Sequence, residues 1–280
     1  MNKKAVFIDI DGTLFDHETS EIPESAYRAL AMAKENGHLL FLCTGRPRPD
    51  IGESILQLPM DGMILSCGAH VLVGTHCLYK AVFPQQELVS LLSYMEKHDI
   101  GFALEGSDRN YLSPLTFTLF HSFVSTDNKV NSEMARSIMA QSGMHPIHEM
   151  HDRDMHQILK ISIFSKNREA AHAMLAALPE HLYGFLYENR DIDVLNGEIS
   201  ISGINKATGM NHILAYYQIP LADTIAIGDS LNDLEMLNHA QLGIAMGNAM
   251  EQVKQQADYV SDTIGQDGFY KALQYAGIIR

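Results

Sequence analysis

Short, nearly unbroken apolar runs alternate along this chain with stretches whose apolar residues recur every three to four positions. Residues 4–10 read as a buried strand that ends in Asp11-Gly12. Pro23 opens a helix with apolar positions Ala26, Ala29, Leu30 and Ala33, and Gly37 stops it. A second apolar run, 39–43, ends in Thr44-Gly45-Arg46, a helix is predicted over about 48–57, and a third strand over 63–66. Strand–helix–strand–helix–strand implies a parallel sheet with right-handed crossovers.

The rhythm then changes. Apolar segments at 71–73 and 77–82 flank Gly74-Thr75-His76 and predict a hairpin. Pro84 opens a helix to about 98, and short strands follow at 101–105 and 109–112. Residues 114–156 read mostly as helix and loop, 157–164 as a strand, 168–178 as a helix and 182–187 as a strand. This mixture of antiparallel hairpins and helices reads as an inserted α+β unit. After Gly197 the first rhythm returns with a strand at 198–202. A helix over 206–217 carries Ala207, Met210, Ile213, Leu214 and Tyr217 on one side. A strand over 224–228 runs into Asp229, followed by a helix at 231–238, a strand at 242–246, and a short strand and last helix beyond Gln252. The expected fold class is α/β: a Rossmann-like three-layer core with a parallel sheet, built from both ends of the chain, plus the insertion.

Composition narrows the function classes. At 280 residues the chain is near the size at which one core stops growing, so two domains are expected. A hydrophobic fraction of 46% and a charged fraction of 19% exclude long disorder and collagen-like structure. Lys+Arg of 20 against Asp+Glu of 34 gives a net charge of −14, which argues against nucleic acid and membrane surfaces as partners. A small anionic substrate held by a few cations or a metal stays compatible. Cys43, Cys67 and Cys77 are odd in number and lack metal-type spacing, which points to a reducing compartment. No signal peptide is expected from an N-terminal run broken by Asp9 and Asp11, and no stretch approaches the roughly 18 apolar residues of a membrane span. The expected location is cytoplasmic and the expected state a monomer or homodimer.

Ligands of parallel α/β sheets bind beyond the carboxyl ends of the strands, and there the polar residues collect. The first strand ends in Asp9-Ile10-Asp11-Gly12-Thr13, the second in Thr44-Gly45-Arg46. Asn205-Lys206 precedes the helix after the insertion, and another strand ends in Gly228-Asp229-Ser230-Leu231-Asn232-Asp233. Asp9 and Asp11, at i and i+2 of an extended strand, would face one volume. Two close carboxylates need a cation or a shared proton, and oxygen ligands suit magnesium. Two strand-end aspartates forming Asx turns and a cap remain an alternative for the pair alone. Thr44 offers a hydroxyl, Gly45 an unobstructed amide, Lys206 a point charge and Asn232 an amide donor, all suited to phosphate oxygens.

These residues, in this order, resemble the haloacid dehalogenase-like hydrolase superfamily and within it the Cof-type sugar-phosphate phosphatases. The motifs are Asp9-Ile10-Asp11-Gly12-Thr13-Leu14, Cys43-Thr44-Gly45-Arg46, Lys206 in Gly203-Ile204-Asn205-Lys206-Ala207, and Gly228-Asp229-Ser230-Leu231-Asn232-Asp233. Gly243-Ile244-Ala245-Met246-Gly247-Asn248-Ala249 is also similar to the family. Ala207 stands where relatives often have glycine. The resemblance makes the insertion a type-two cap, with the core over 1–83 and 196–280 and the α+β cap domain over 84–195.

The resemblance implies a magnesium-dependent phosphatase of small phosphorylated metabolites. Asp9 would be the nucleophile and Asp11 the general acid and base. Magnesium would bridge Asp9, the backbone carbonyl of Asp11, and Asp229. Thr44, Gly45, Lys206, Asn232 and the amide of Ile10 would hold phosphate oxygens, with Thr13, Arg46, Ser230, Asp233 and Asn248 in support. The cap would close as a lid. Lys160 and Arg109 are candidate cap contacts with substrate, an edge-strand position being the plainer account of Lys160. His145, His148, His151 and His156 lack the cysteines and spacing of a structural zinc site and read as a polar loop. A phosphotransferase or mutase, or a non-catalytic phosphometabolite binder, would share the fold, but the intact carboxylates and lysine argue against the binder.

Overall fold

The computed structural model describes residues 3–125, 144–187 and 194–280. Its strands, in chain order, are β1 (Ala5–Ile8), β2 (Leu39–Cys43), β3 (Gly62–Leu65), β4 (His70–Val73), β5 (His76–Lys80), β6 (Ile100–Gly106), β7 (Asn110–Leu112), β8 (Met144–Pro146), β9 (Ile158–Ser165), β10 (Leu182–Tyr187), β11 (Leu195–Ile201), β12 (Thr224–Gly228), β13 (Leu242–Ala245) and β14 (Tyr259–Val260). The helices are α1 (Glu24–Glu35), α2 (Glu53–Leu56), α3 (Gln85–Lys97), α4 (Pro114–Ser125), α5 (Asp152–Met155), α6 (Arg168–Ala176), α7 (Lys206–Tyr217), α8 (Leu234–His239), α9 (Glu251–Lys254) and α10 (Gly268–Tyr275).

The chain divides into two compact units. One takes in the chain up to Arg46, Glu53–Lys80 and Ile204–Arg280, and the other Pro47–Gly52 and Ala81–Gly203. The first unit holds a sheet in the order β14-β13-β12-β1-β2-β3-β4-β5. It is parallel from β14 to β3, with β4 and β5 added as an antiparallel hairpin. Every residue of β1, β2 and β12 is buried, as unbroken apolar runs covered on both faces require. Helix α1 buries Ala26, Ala29, Leu30 and Ala33, the stripe its spacing predicts. Because β12, β1 and β2 are neighbours, the loops after Ile8, Cys43 and Gly228 emerge side by side. That adjacency brings separate motifs together.

The second unit holds a sheet in the order β10-β11-β9-β6-β7-β8. One face packs Phe102, Leu104, Ile161, Ile163 and Ile199 against Leu88 and Met95 of α3 and Ala171 and Met174 of α6. The strand expected to reopen the α/β core after Gly197 runs here instead. β11 pairs antiparallel with β10 and β9, so the boundary expected at residue 196 falls inside a strand of the second sheet. Its buried Leu195 and Ile199 face the second core, packed with the apolar residues of β6 and β9. The single helix expected over 48–57 is broken into a 3₁₀ turn, Arg48–Asp50, and the short α2. Pro49 supplies no amide and Gly52 no side chain, which removes the means to continue a helix. The helix expected from 231 likewise begins as a 3₁₀ turn, Leu231–Asp233, before α8. Of the stretch expected to be helix and loop over 114–156, residues 126–143 lie outside the described residues.

Candidate active site

The loop after β1 is shaped by its own carbonyl. Ile10 O accepts from the amides of Thr13, Leu14 and Phe15 at 3.3, 2.8 and 2.7 Å, so the chain turns sharply where an extended strand was expected. The i, i+2 alternation therefore does not govern Asp9 and Asp11. Asp9 stays at the strand end, its amide bonded to Ile227 O at 3.0 Å. The Asp11 carboxylate is gripped by Arg46, which donates Nε to Oδ2 at 2.7 Å and Nη2 to Oδ1. His17 Nε2 stands 3.0 Å from the same Oδ1. Gly12 has φ +78°, and a Cβ there would lie 2.2 Å from Asp229 Oδ2. A glycine is thus what lets the β1 and β12 loops meet. Asn248 fastens this loop from a third side, donating to Gly12 O at 2.8 Å while its Oδ1 accepts from the Ile264 amide at 2.9 Å. Thr13 is fully buried beneath the turn.

Lys206 is the first residue of α7, whose start is fixed by a capping box between Asn205 and Thr208. Its side chain is fully buried, with Nζ 2.6 Å from Asp9 Oδ1 and 2.5 Å from Asp233 Oδ1. Asp233 Oδ2 accepts in turn from the amides of Asp229 and Ser230, each at 3.0 Å. Both oxygens of Asp233 are therefore committed, and the residue ties Lys206 to the Asp229 loop. Ser230 donates its hydroxyl to Asn232 Oδ1 at 2.8 Å.

Thr44 is buried at the end of β2, and its Oγ1 accepts from the Arg46 amide at 3.1 Å. A Cβ added to Gly45 would lie 3.4 Å from Asn232 Nδ2, so these two phosphate-binding candidates face each other. Beside them, Ser66, Cys67 and Gly68 all take positive φ, and a Cβ on Gly68 would meet Asn205 O at 2.1 Å. The Ser66 and Cys67 amides donate to Arg46 O and Thr44 O, both at 3.0 Å. This turn braces the Thr44 loop and the start of α7 together. Sequence reasoning missed it, as it missed His17. Gly68 after a predicted strand was the one available signal.

The electrostatics follow from burial. Desolvation, and then the nearby Asp233, push the Asp9 carboxyl well above its ordinary range, against the pull of Lys206. Burial alone would lower the Lys206 ammonium, but Asp233 and Asp9 hold it well above its ordinary value. Burial and Asp233 push Asp229 up to about 7. Asp9, Asp229 and Asp233 each offer an oxygen, these atoms lying within 4.8 Å of one another. Asp229 Oδ1 is buried with no hydrogen-bond partner among the described residues. A carboxylate cluster with an orphaned, desolvated oxygen fits a hard divalent cation by its donor set. Asp233, fully engaged, is better suited to holding Asp229 in place than to ligation.

The remaining candidates lie in the second unit. Arg109 is exposed in the turn between β6 and β7. Lys160 is not on an edge strand: β9 runs between β11 and β6, and the lysine is buried against Glu105 and Glu198. Among the described residues none of the four histidines from 145 to 156 belongs to a metal-competent group.

The neighbouring strand ends of a parallel α/β sheet bring together carboxylates, a buried lysine and a hydroxyl, and the family match and the phosphatase-named relatives make this chain an enzyme of the phosphatase class. The chain belongs to the haloacid dehalogenase-like hydrolase family, whose model matches residues 6–273. It is 26% identical to YkrA of Bacillus subtilis over 283 residues, spanning all of both chains. It is 25% identical to the B. subtilis 5-amino-6-(5-phospho-D-ribitylamino)uracil phosphatase YcsE over 97% of this chain and 95% of that one. Among solved structures, the sugar phosphatase BT4131 is 29% identical with a TM-score of 0.77, covering 99% of this chain and 100% of that one. No helix among the described residues is long and apolar enough to cross a membrane.

Proposed function

We propose that this chain is a magnesium-dependent phosphatase that hydrolyses phosphate monoesters of small metabolites, sugar phosphates among them, through a phosphorylated Asp9. The observation that carries this reading is the buried chain Asp9–Lys206–Asp233, with Asp229 beside it. Such a chain is costly to bury and of little use to a core that has apolar residues to spare.

In the first half-reaction an Asp9 oxygen bonds to phosphorus as the ester P–O bond breaks, and Asp11 gives its proton to the departing alkoxide. In the second, Asp11 takes a proton from water, the water oxygen bonds to phosphorus, and the Asp9–phosphorus bond breaks. Lys206 fixes the Asp9 carboxylate and, with Thr44, Gly45, Asn232 and the Ile10 amide, receives phosphate oxygens. Arg46 orients Asp11 through its paired hydrogen bonds. Asp9, Asp229 and the Asp11 carbonyl would hold magnesium, which supplies positive charge between the attacking carboxylate and the phosphate dianion.

Incubation with an aryl phosphate, with and without magnesium and beside Asp9→Asn, tests the reading. Phosphate release that needs the metal and vanishes in the variant supports it. Equal rates in wild type and variant would sink it. Polyol phosphates make sensible first substrates, given the substrates that the names of YcsE and BT4131 state.

A further inference from the structure

The loop that leaves β1 turns back on itself and delivers a further side chain to Asp11. Gly12 donates its amide to Phe15 O at 2.9 Å, and Asp11 bridges to Phe15 across that turn. Asp16 is buried, its amide bonded to Glu21 O at 2.9 Å and its Oδ1 accepting from the Glu18 amide at 2.9 Å. With Ser20 at φ +59°, residues 16–21 close into a tight turn. His17 is thereby held by the backbone on both sides of it, with Nε2 standing 3.0 Å from Asp11 Oδ1.

The ring is also braced by a neighbour. Phe15 meets His17 edge-on, with centroids 5.3 Å apart at 76°, and Arg46 Cζ lies 5.9 Å from the centroid of the same Phe15 ring. One aromatic side chain therefore supports both Arg46 and His17 against Asp11. The Arg46 fork already supplies the charge and fixes the plane of the carboxylate, so neutralisation does not explain a second group. Yet His17 Nε2 is buried, and among the described residues no hydrogen bond is aligned on it. A buried nitrogen in that state calls for an account. At 3.0 Å, a small turn of the Asp11 carboxyl group is enough to complete the bond.

We propose that His17 is a positioning residue for Asp11: it takes Oδ1 as the carboxyl group turns to the ester oxygen, and so keeps the acid in line with the departing alkoxide. This rests on the phosphatase reading, under which Asp11 protonates that alkoxide. The consequence is selective. An alkoxide leaves poorly without the proton, whereas a nitrophenoxide leaves well without it, so loss of His17 falls mainly on alkyl esters.

The test compares kcat/KM, which reports the reaction up to departure of the alcohol, for nitrophenyl phosphate and for an alkyl phosphate that the wild type turns over, hexose 6-phosphate first. The proteins are wild type, His17→Leu and His17→Gln, with circular dichroism to check folding. A well-placed general acid contributes about 10²–10⁴-fold, so His17→Leu is expected to lose at least about tenfold more on the alkyl than on the nitrophenyl ester. His17→Gln, whose amide nitrogen reaches toward Oδ1, is expected to recover most of that difference. On an Asp11→Asn background the leucine substitution is expected to leave the ratio of the two esters where Asp11→Asn alone puts it. Equal losses on the two esters would overturn the assignment. So would a glutamine variant no better than leucine, or a further fall in the ratio on the Asp11→Asn background. Should His17→Leu not fold, His17→Asn, whose amide stops short of Oδ1, takes its place with the same expected outcome. A wild type that hydrolyses no ester in magnesium would instead refute the phosphatase reading beneath it.

Discussion

Lys206 Nζ lies 2.6 Å from Asp9 Oδ1 in a pocket from which both side chains are shielded, although 197 residues separate them. The lysine also reaches Asp233, so its removal leaves two carboxylates buried without their cation. Breaking a buried pair from one side costs about 3–5 kcal/mol. Lys206→Met should lower the unfolding free energy by that order and reduce phosphate release at least about 100-fold, as loss of one preorganised charge contact does. Denaturant unfolding and steady-state kinetics check the two parts separately. A variant as stable as wild type would show that Asp9 and Asp233 are neutral in the folded protein.

Gly12 is the second test of that convergence. An added methyl would lie 2.2 Å from Asp229 Oδ2, and the backbone there has φ +78°. Strained left-handed backbone costs roughly 1–3 kcal/mol before the clash is counted. Gly12→Ala should therefore displace Asp229, weaken metal dependence and lower kcat. Titration of activity against magnesium measures it. An unchanged half-saturating concentration would mean that the β12 loop yields without moving its carboxylate.

Asp229 gives a pH-dependent prediction. Its folded value of about 7 lies above the unfolded carboxyl range near 4. The folded state thus holds a proton that the unfolded state releases, and the resulting stability is present below about pH 4 and lost as pH rises to about 7. In chelator, Asp229→Asn should be more stable than wild type at pH 8, with the difference closing near pH 4. Magnesium should raise the wild-type Tm at pH 8 and leave the variant's unchanged. Thermal melts at the two pH values, with and without metal, decide it. A constant difference across pH would place Asp229 in an ordinary, solvated setting.

Much of this architecture was legible because it is written in local terms. Apolar runs of four or five residues such as Ala5–Ile8 and Thr224–Gly228 mark buried parallel strands, and the polar residues just beyond them mark the ligand side of the sheet. What was not legible depends on partners distant in sequence. Glu198 alternates with Leu195, Ile199 and Ile201 in a pattern that says strand, but nothing local says which sheet. Lys160 looked like an edge residue until Glu105 and Glu198 were seen on its two flanks. Asp233 read as a supporting residue, whereas four hydrogen bonds converge on its carboxylate from Lys206, Asp229 and Ser230. Ser66 and Cys67 occupy left-handed backbone against their own preference, which only the surrounding packing can impose.

His38 lies far from this chemistry in role and gives the opposite pH signature. It is buried just before β2, and its Nδ1 accepts the Lys4 amide at 3.1 Å. Its Nε2 is buried with no partner among the described residues, so protonation would add charge where nothing receives it. Burial, aided by the nearby Lys4, holds its pKa below the ordinary histidine value of 6.5. The unfolded chain then binds the proton more readily, so the contribution is fully present above about pH 6.5 and is lost as pH falls through the folded value. His38→Asn keeps an acceptor for Lys4 and has no titration. Between pH 7 and pH 5 it should flatten the decline in denaturation midpoint relative to wild type, at fixed magnesium so that Asp229 does not contribute. Equal slopes for the two proteins would show that His38 titrates as it does in the unfolded chain.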